Sequence, residues 1–300
     1  MLTNFFSNTK PVNSLFIIAL FVCYLVIGFF TEISFSLNIS TFCWYLALFG
    51  FVNFVNSRNN LTFDNSYFFL FFVFLLGCFP STVNVNSFFY SNLVLVIFVR
   101  RVYSLQSSKN ITKKLFDSGL WLGISFLIEP FSLVFSFFIY LAMILHQHVD
   151  FKKLFIPILG FVSPVILFFT YSFWYESLES FYKLFYWYTY YDFTFYNQFP
   201  LKLILTGILS VTFIALLLKT PKALAVKNKF RKSWILVCFH FLLALVLLII
   251  VKDRNGTEIL YILFPSAIIL ANGFELFQKK WFADIILILF LIVSFGSYFL

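Results

Sequence analysis

Lysine and arginine in this chain sit almost entirely on alternate breaks between long apolar runs. Of 21 basic residues, seventeen fall at positions 10, 58, 100–114, 152–153, 219–232 and 279–280. Only Lys183, Lys202, Lys252 and Arg254 fall in the intervening breaks, together with seven of the twelve acids: Glu32, Glu129, Glu176, Glu179, Asp192, Asp253 and Glu258. A bilayer span needs about 20 mostly apolar residues, and Lys/Arg in short loops mark the cytoplasmic side. The alternation therefore predicts an all-α, polytopic transmembrane bundle with a cytoplasmic N-terminus. The opposite orientation would place most of the cations on the wrong face.

About eleven spans are expected, within a range of nine to twelve, at roughly 12–30, 35–55, 67–79, 88–99, 115–128, 131–145, 154–174, 201–218, 234–251, 259–274 and 281–300. With 62% hydrophobic residues, 11% charged residues and a mean hydropathy of +0.95, the chain leaves no room for a soluble domain. Residues 1–300 are read as one integral membrane domain. The net charge of +9 is dispersed among loop anchors that meet anionic headgroups. It forms no basic groove, and nucleic acid is not an expected partner. Cys23, Cys43, Cys78 and Cys238 all lie inside apolar runs with no CxxC spacing, so neither a disulfide nor a zinc site is implied. The first run follows a single Lys10 and precedes Thr31-Glu32-Ile33 without a small-residue cleavage pattern, and it reads as an uncleaved span.

Four predicted spans, from 67–79 to 131–145, are shorter than a hydrocarbon core. The pair flanking Glu129-Pro130 either borrows residues 114–118 or turns below the outer surface, where irregular backbone needs protein or water to satisfy it. Pro157, Gly160 and Pro164 share one span, as a packing feature or as a broken helix of the kind that lines transport sites. Residues 175–200 are rich in aromatic rings, including Tyr188 and Tyr191, and are expected to lie at the outer interface. That segment reads either as an aromatic belt or as a platform that stacks a sugar or shields a lipid.

Catalytic signatures are sparse. In His146-Gln-His148-Val-Asp150 the two histidines, at i and i+2, do not share a helix face; an extended loop would bring them together, but His and acids at a span end are usually solvated. His240, mid-span, reads as structural. No metal site and no cofactor are expected. Three histidines exclude a four-histidine iron oxygenase, and P-loop, Rossmann, GxSxG and HExxH patterns are missing. The predicted span centres carry no Asp, Glu, Lys or Arg, which argues against ion-coupled transport. What remains is an outer surface with Glu32 after span one, Glu129 at the short turn and the 252–258 loop. A membrane enzyme acting on a polyprenyl-linked sugar needs a carboxylate base and a cation to hold the phosphate leaving group. Glu32 and Glu129 are the candidate carboxylates, Lys252 and Arg254 the candidate clamps, and Tyr188 and Tyr191 candidate stacking groups. Each also reads as an ordinary loop residue.

Phe88-Phe-Tyr-Ser-Asn-Leu93, Arg100-Arg-Val-Tyr-Ser-Leu-Gln-Ser-Ser-Lys-Asn110 and Lys114-Leu-Phe-Asp-Ser-Gly-Leu-Trp-Leu-Gly123 resemble an uncharacterised family of Bacteroidetes inner-membrane proteins. The resemblance runs along the whole chain and carries no activity with it. More distantly, the layout resembles GT-C glycosyltransferases, with many spans, an acidic residue in the first outer loop and a late basic loop followed by Tyr-x-x-x-Pro, here Tyr261-Ile-Leu-Phe-Pro265. Such enzymes carry a long first outer loop, and this chain offers only about residues 31–34 there. The leading expectation is a GT-C-like protein of the bacterial inner membrane that handles a lipid or lipid-linked sugar on the outer face in envelope biogenesis. The alternatives are a non-catalytic subunit or scaffold of an envelope complex and, third, a transporter or flippase. Membrane lipids are the expected partners.

Overall fold

A computed structural model describes residues 2–31, 39–175, 177–186, 192–226, 228–252 and 254–299. Among these residues the regular structure is entirely helical. The first helices are α1 (Leu2–Phe6), α2 (Pro11–Phe30), α3 (Ile39–Asn59), α4 (Tyr67–Cys78) and α5 (Ser87–Tyr103). Then come α6 (Ile111–Ile128), α7 (Ser136–Leu145), α8 (Phe151–Trp174) and α9 (Leu178–Lys183). The last are α10 (Leu201–Ala225), α11 (Asn228–Ile250), α12 (Leu260–Phe274) and α13 (Lys280–Gly296).

A helix occurs at each predicted span. Among the described residues, seven stretches are long and apolar enough to cross a bilayer: Pro11–Phe30, Ile39–Asn59, Ser87–Gln106, Phe151–Trp174, Leu201–Ala225, Phe230–Ile250 and Thr257–Phe274. The other four fall short for identifiable reasons. Helix α4 has 12 residues before Phe79-Pro80 breaks it, and at about 1.5 Å per residue it reaches only ~18 Å. The first turn of α6 holds Lys113 and Lys114, Pro130–Leu145 begins as a 3-10 turn, and α13 has 17 residues.

Two predicted lengths were too short. The 88–99 segment is Ser87–Tyr103, because the Asn86 side chain caps its start by accepting from Phe89 N–H at 3.2 Å. At its other end Arg101 pairs with Asp117 at 3.1 Å rather than terminating the helix. The neighbouring helix does borrow polar residues. Lys114 Nζ donates to the carbonyls of Ser104 (2.6 Å) and Ser107 (2.9 Å), which ties its charge to the preceding turn. Residues 35–38 of the predicted 35–55 segment lie outside the described residues; at its other end α3 runs four residues further, to Asn59, whose amide donates to Val55 O at 2.8 Å and lets the helix absorb a polar end.

Contacts divide the chain into two compact units. The first comprises Met1–Val85, Asp192–Cys238 and Arg254–Leu300. Its core is α4 and α12, in which every residue is buried. Phe71 of α4 packs edge-on to Phe274 (5.4 Å) and Phe290 (5.3 Å). Gly77 lets the Tyr24 ring of α2 lie where a Cβ would stand, and Tyr24 Oη bonds Ser294 Oγ of α13 at 2.6 Å. Gly273 does the same against Ala215 of α10. The fully buried Asn272 amide donates to the carbonyls of Leu61 (3.0 Å) and Ile268 (2.9 Å). At one end of the unit α1 is fastened to α13, with Thr3 N–H and Oγ1 both donating to Asp284 Oδ1 at 2.8 and 2.9 Å. The same end carries Lys10, Arg58, Lys219, Lys222, Lys279 and Lys280 at helix termini. The opposite end gathers Thr31, Pro80–Val83, the 192–200 segment, the 254–259 turn and Ser297–Phe299.

The second unit comprises Asn86–Tyr191 and Phe239–Asp253. Its main packing is α6 on α8. Gly119 and Gly123 stand four residues apart on one face of α6, and a Cβ on either would meet the α8 backbone: Pro157 O at 2.0 Å and Phe161 O at 2.6 Å. Gly160 answers from α8, with Phe116 O at 2.3 Å from its would-be Cβ. Helix α8 runs unbroken through Pro157 and Pro164, so these small and ring-closed residues serve close helix approach. Helix α5 joins through a buried Ser91–Ser125 hydroxyl pair at 2.8 Å. His240 is buried among Phe135 (5.6 Å), Phe138 (5.4 Å) and Tyr103, whose hydroxyl lies 3.5 Å from Nδ1. This is the structural role expected of it.

Candidate functional site

The 254–258 loop of the first unit is built by Asn255 and Gly256. Asn255 Oδ1 accepts from Thr257 N–H (3.1 Å) and Oγ1 (2.5 Å), a side chain imitating a backbone turn. Gly256 has φ +88°, and a Cβ there would stand 2.3 Å from Ser81 Oγ, so only glycine fits. The turn delivers Glu258 into full burial. Its carboxylate accepts from the Tyr196 phenol and, at 3.3 Å, from Asn255 N–H. Burial first, then the charge of Glu258, holds the Tyr196 phenol well above the ordinary tyrosine range, so it stays a proton donor. Arg254 donates to the Asp192 carbonyl and lies 4.1 Å above the Phe193 ring. Asp192 in turn accepts from Thr194 N–H at 2.9 Å, which keeps its carboxyl below the ordinary range. Two charged residues thus fasten the 192–200 segment to the 254–258 turn.

That segment walls a cavity of about 740 Å³. Polar groups enter from Thr31, Ser81, Gln198 and Ser297, and rings from Phe195, Phe199 and Tyr298. Tyr298 is buried, and among the described residues its hydroxyl finds no hydrogen-bond partner. A buried polar group of this kind costs free energy on the order of 1–3 kcal/mol unless something satisfies it. Cys78 and Ile204 are shared with a second hollow of about 150 Å³ between α10 and α13, lined also by Gly207, Ile208 and Val293. Val211 and Phe290 are shared in turn with a third hollow of about 80 Å³ beside Phe71, Ala215 and Gly273. The result is a mostly apolar cavity into which several polar side chains reach, continued by an almost wholly apolar groove along α10. A Cβ on Gly207 would meet nothing within 4 Å, so glycine leaves the groove wide at that level.

The residues expected to carry function fall as follows. Glu32, Tyr188 and Tyr191 lie outside the described residues; Glu32 directly follows Thr31 of the cavity wall. Glu129 is in the second unit, half-buried at the end of α6, where its N–H donates to Ser125 O at 2.8 Å before Pro130 opens a 3-10 turn. Lys252 is exposed in the second unit, and Arg254 belongs to the first. Neither Lys252 nor Arg254 lines the 740 Å³ cavity. Arg254 and Glu258 act as struts for its wall. Sequence reading missed the Glu258–Tyr196 pair, Tyr298 and Gly207. Asn255-Gly256 was the legible turn signal, but its partner Ser81 is far away in sequence and leaves no mark near it. His148 Nε2 lies 3.0 Å from Leu105 O.

Residues 1–299 match a family of unknown function, DUF6427. No curated protein and no solved structure matches the chain.

Proposed function

The chain belongs to the DUF6427 family, and we propose that it is a multi-pass protein of the bacterial inner membrane that holds a lipid or lipid-linked sugar at its outer face. The polar head occupies the 740 Å³ cavity and the tail follows the groove along α10. One observation carries this reading: Thr31, Ser81, Gln198 and Ser297, with a buried Tyr298 hydroxyl that has no hydrogen-bond partner among the described residues, gather at one end of a chain of hollows that is otherwise apolar. Ligand sites combine apolar walls with a few placed polar groups, and here the two kinds are segregated lengthwise, as they are in an amphiphile. In its GT-C-like form the protein transfers the sugar. Glu32 takes the proton of the acceptor hydroxyl, the hydroxyl oxygen bonds the anomeric carbon, and the bond from that carbon to the lipid phosphate breaks, releasing polyprenyl phosphate.

Gly207→Phe tests the reading, because it fills the groove where space is open and replaces a helix-weakening glycine. Purified protein is photolabelled with a diazirine-bearing polyprenyl phosphate. Wild type labels, Gly207→Phe loses most of the label at unchanged or higher thermal stability, and Glu32→Gln keeps the label while losing transfer. Equal labelling of wild type and Gly207→Phe overturns the lipid assignment. Undiminished transfer by Glu32→Gln overturns the catalytic form alone.

A further inference from the structure

At the other end of the first unit a separate cavity of about 370 Å³ lies among the C-terminal turns of α3 and α10 and the start of α11. Two of its lining residues are cations on adjacent turns of α10. Lys219 is 6% exposed, with its ammonium 5.1 Å above the Phe63 ring, 5.9 Å from that of Phe230 and 3.8 Å from Glu275. Lys222 is exposed. The remaining walls are mostly apolar, with Phe63, Val226, Phe230 and Leu276 set against only Asn60 and Thr62. Phe230 is held in place by Trp234, which stacks on it and donates from Nε1 to Thr220 Oγ1 at 3.1 Å.

Eighteen residues separate Leu201, the first of α10, from Lys219. At 1.5 Å each this is about 27 Å, close to the ~30 Å hydrocarbon thickness. A spanning α10 therefore carries Lys219 and Lys222 to the level of the phosphates. From this geometry we infer a second binding site, for the phosphate head of an anionic membrane phospholipid, with Lys219 and Lys222 as its cations and Phe63, Val226 and Phe230 against the first acyl carbons. Charge and polarity select this occupant. Two cations facing one carboxylate leave a net positive site, and an ammonium held by two ring faces and a carboxylate at 3.8 Å has N–H donors to turn toward a phosphate oxygen. A free phosphate or nucleotide would lose its hydration against walls that offer it almost nothing else. Near neutrality the Glu275 carboxyl is itself partly protonated, burial having raised it to about 7, which weakens its competition for Lys219.

Native mass spectrometry of the full chain in detergent tests this. The probes are phosphatidylglycerol and phosphatidylcholine of identical acyl composition, with inorganic phosphate as competitor. Phosphatidylglycerol is retained selectively by wild type. Lys222→Gln, at an exposed position that leaves the core intact, weakens retention about tenfold, the scale of one lost headgroup cation. Glu275→Gln retains the lipid at least as well. Equal retention of the two lipids, or wild-type retention by Lys222→Gln, overturns the assignment; so does displacement by millimolar inorganic phosphate, which would make this a free-phosphate site. Gly207→Phe leaves this adduct unchanged, so failure here and failure of the α10 groove reading are separately visible.

Discussion

Single residues in this protein are placed by partners far away in the chain, and Glu275 shows the consequence most directly. It follows α12 outside the apolar segment, accepts from the Asn65 amide and faces Lys219 at 3.8 Å. Burial outweighs both and lifts its carboxyl from an ordinary 4.5 to about 7. Between those values the folded state holds a proton that the unfolded chain has released, so stability falls as pH rises through that window. With screening discounted, the loss is on the order of 1–2 kcal/mol. The titratable groups that act on it are Lys219 and the Tyr67 phenol, with Lys222 acting in turn on Lys219. Thermal unfolding in detergent is expected to drop from pH 5 to pH 7 and then level off, and Glu275→Gln is expected to flatten the curve; an unchanged slope in that variant would remove Glu275 as the cause. Asn65, 210 residues away, is the kind of partner that no local reading supplies.

Helices α6 and α8 are held by the absence of side chains. Gly119 and Gly160 each bring one backbone against the other, at distances where a Cβ cannot stand. Gly119→Ala is therefore expected to lower stability by about 1–3 kcal/mol, the cost of forcing well-packed elements apart. Gly50→Ala in α3, where nothing lies within 4 Å, is expected to be neutral or to stabilise by up to ~1 kcal/mol. Melting temperatures of the two variants in one detergent decide the matter, and equal shifts would mean that α6–α8 approach is not what holds this unit. The Gly119-x-x-x-Gly123 spacing was present in the sequence. Spacing alone does not say which helix answers it, and Pro157, Gly160 and Pro164 were readable only as packing or as a break. The short predicted segments also illustrate a physical limit. Apolar runs end where charges begin, whereas α5 and α6 continue through charges because Arg101 finds Asp117 and Lys114 finds the Ser104 and Ser107 carbonyls.

For the whole molecule, the alternation of basic breaks predicts which loops face the cytoplasm. Within the first unit the Lys219–Arg231 region and the Asn197–Arg254 region lie at opposite ends. With the four native cysteines replaced, Asn197→Cys is expected to react with an impermeant maleimide in intact spheroplasts, and Arg231→Cys only after lysis. The reverse pattern would invert the topology and move the proposed lipid head cavity to the cytoplasmic face. Sequence by itself determined the all-helical class, the approximate place of each long apolar helix among the described residues and the asymmetry of charge, because hydrocarbon solvates no open backbone and each span must satisfy its own hydrogen bonds locally. Tertiary structure alone decided that Glu258 and Arg254 brace a wall, that the buried Tyr298 hydroxyl has no hydrogen-bond partner among the described residues, and that a cavity with polar groups and two apolar hollows line up along α10. Those features depend on side chains from helices scores of residues apart meeting at one end of a bundle. In a bilayer, lipid tails are as apolar as the side chains, so close packing and interhelical hydrogen bonds, rather than hydrophobicity, set which of these helices meet.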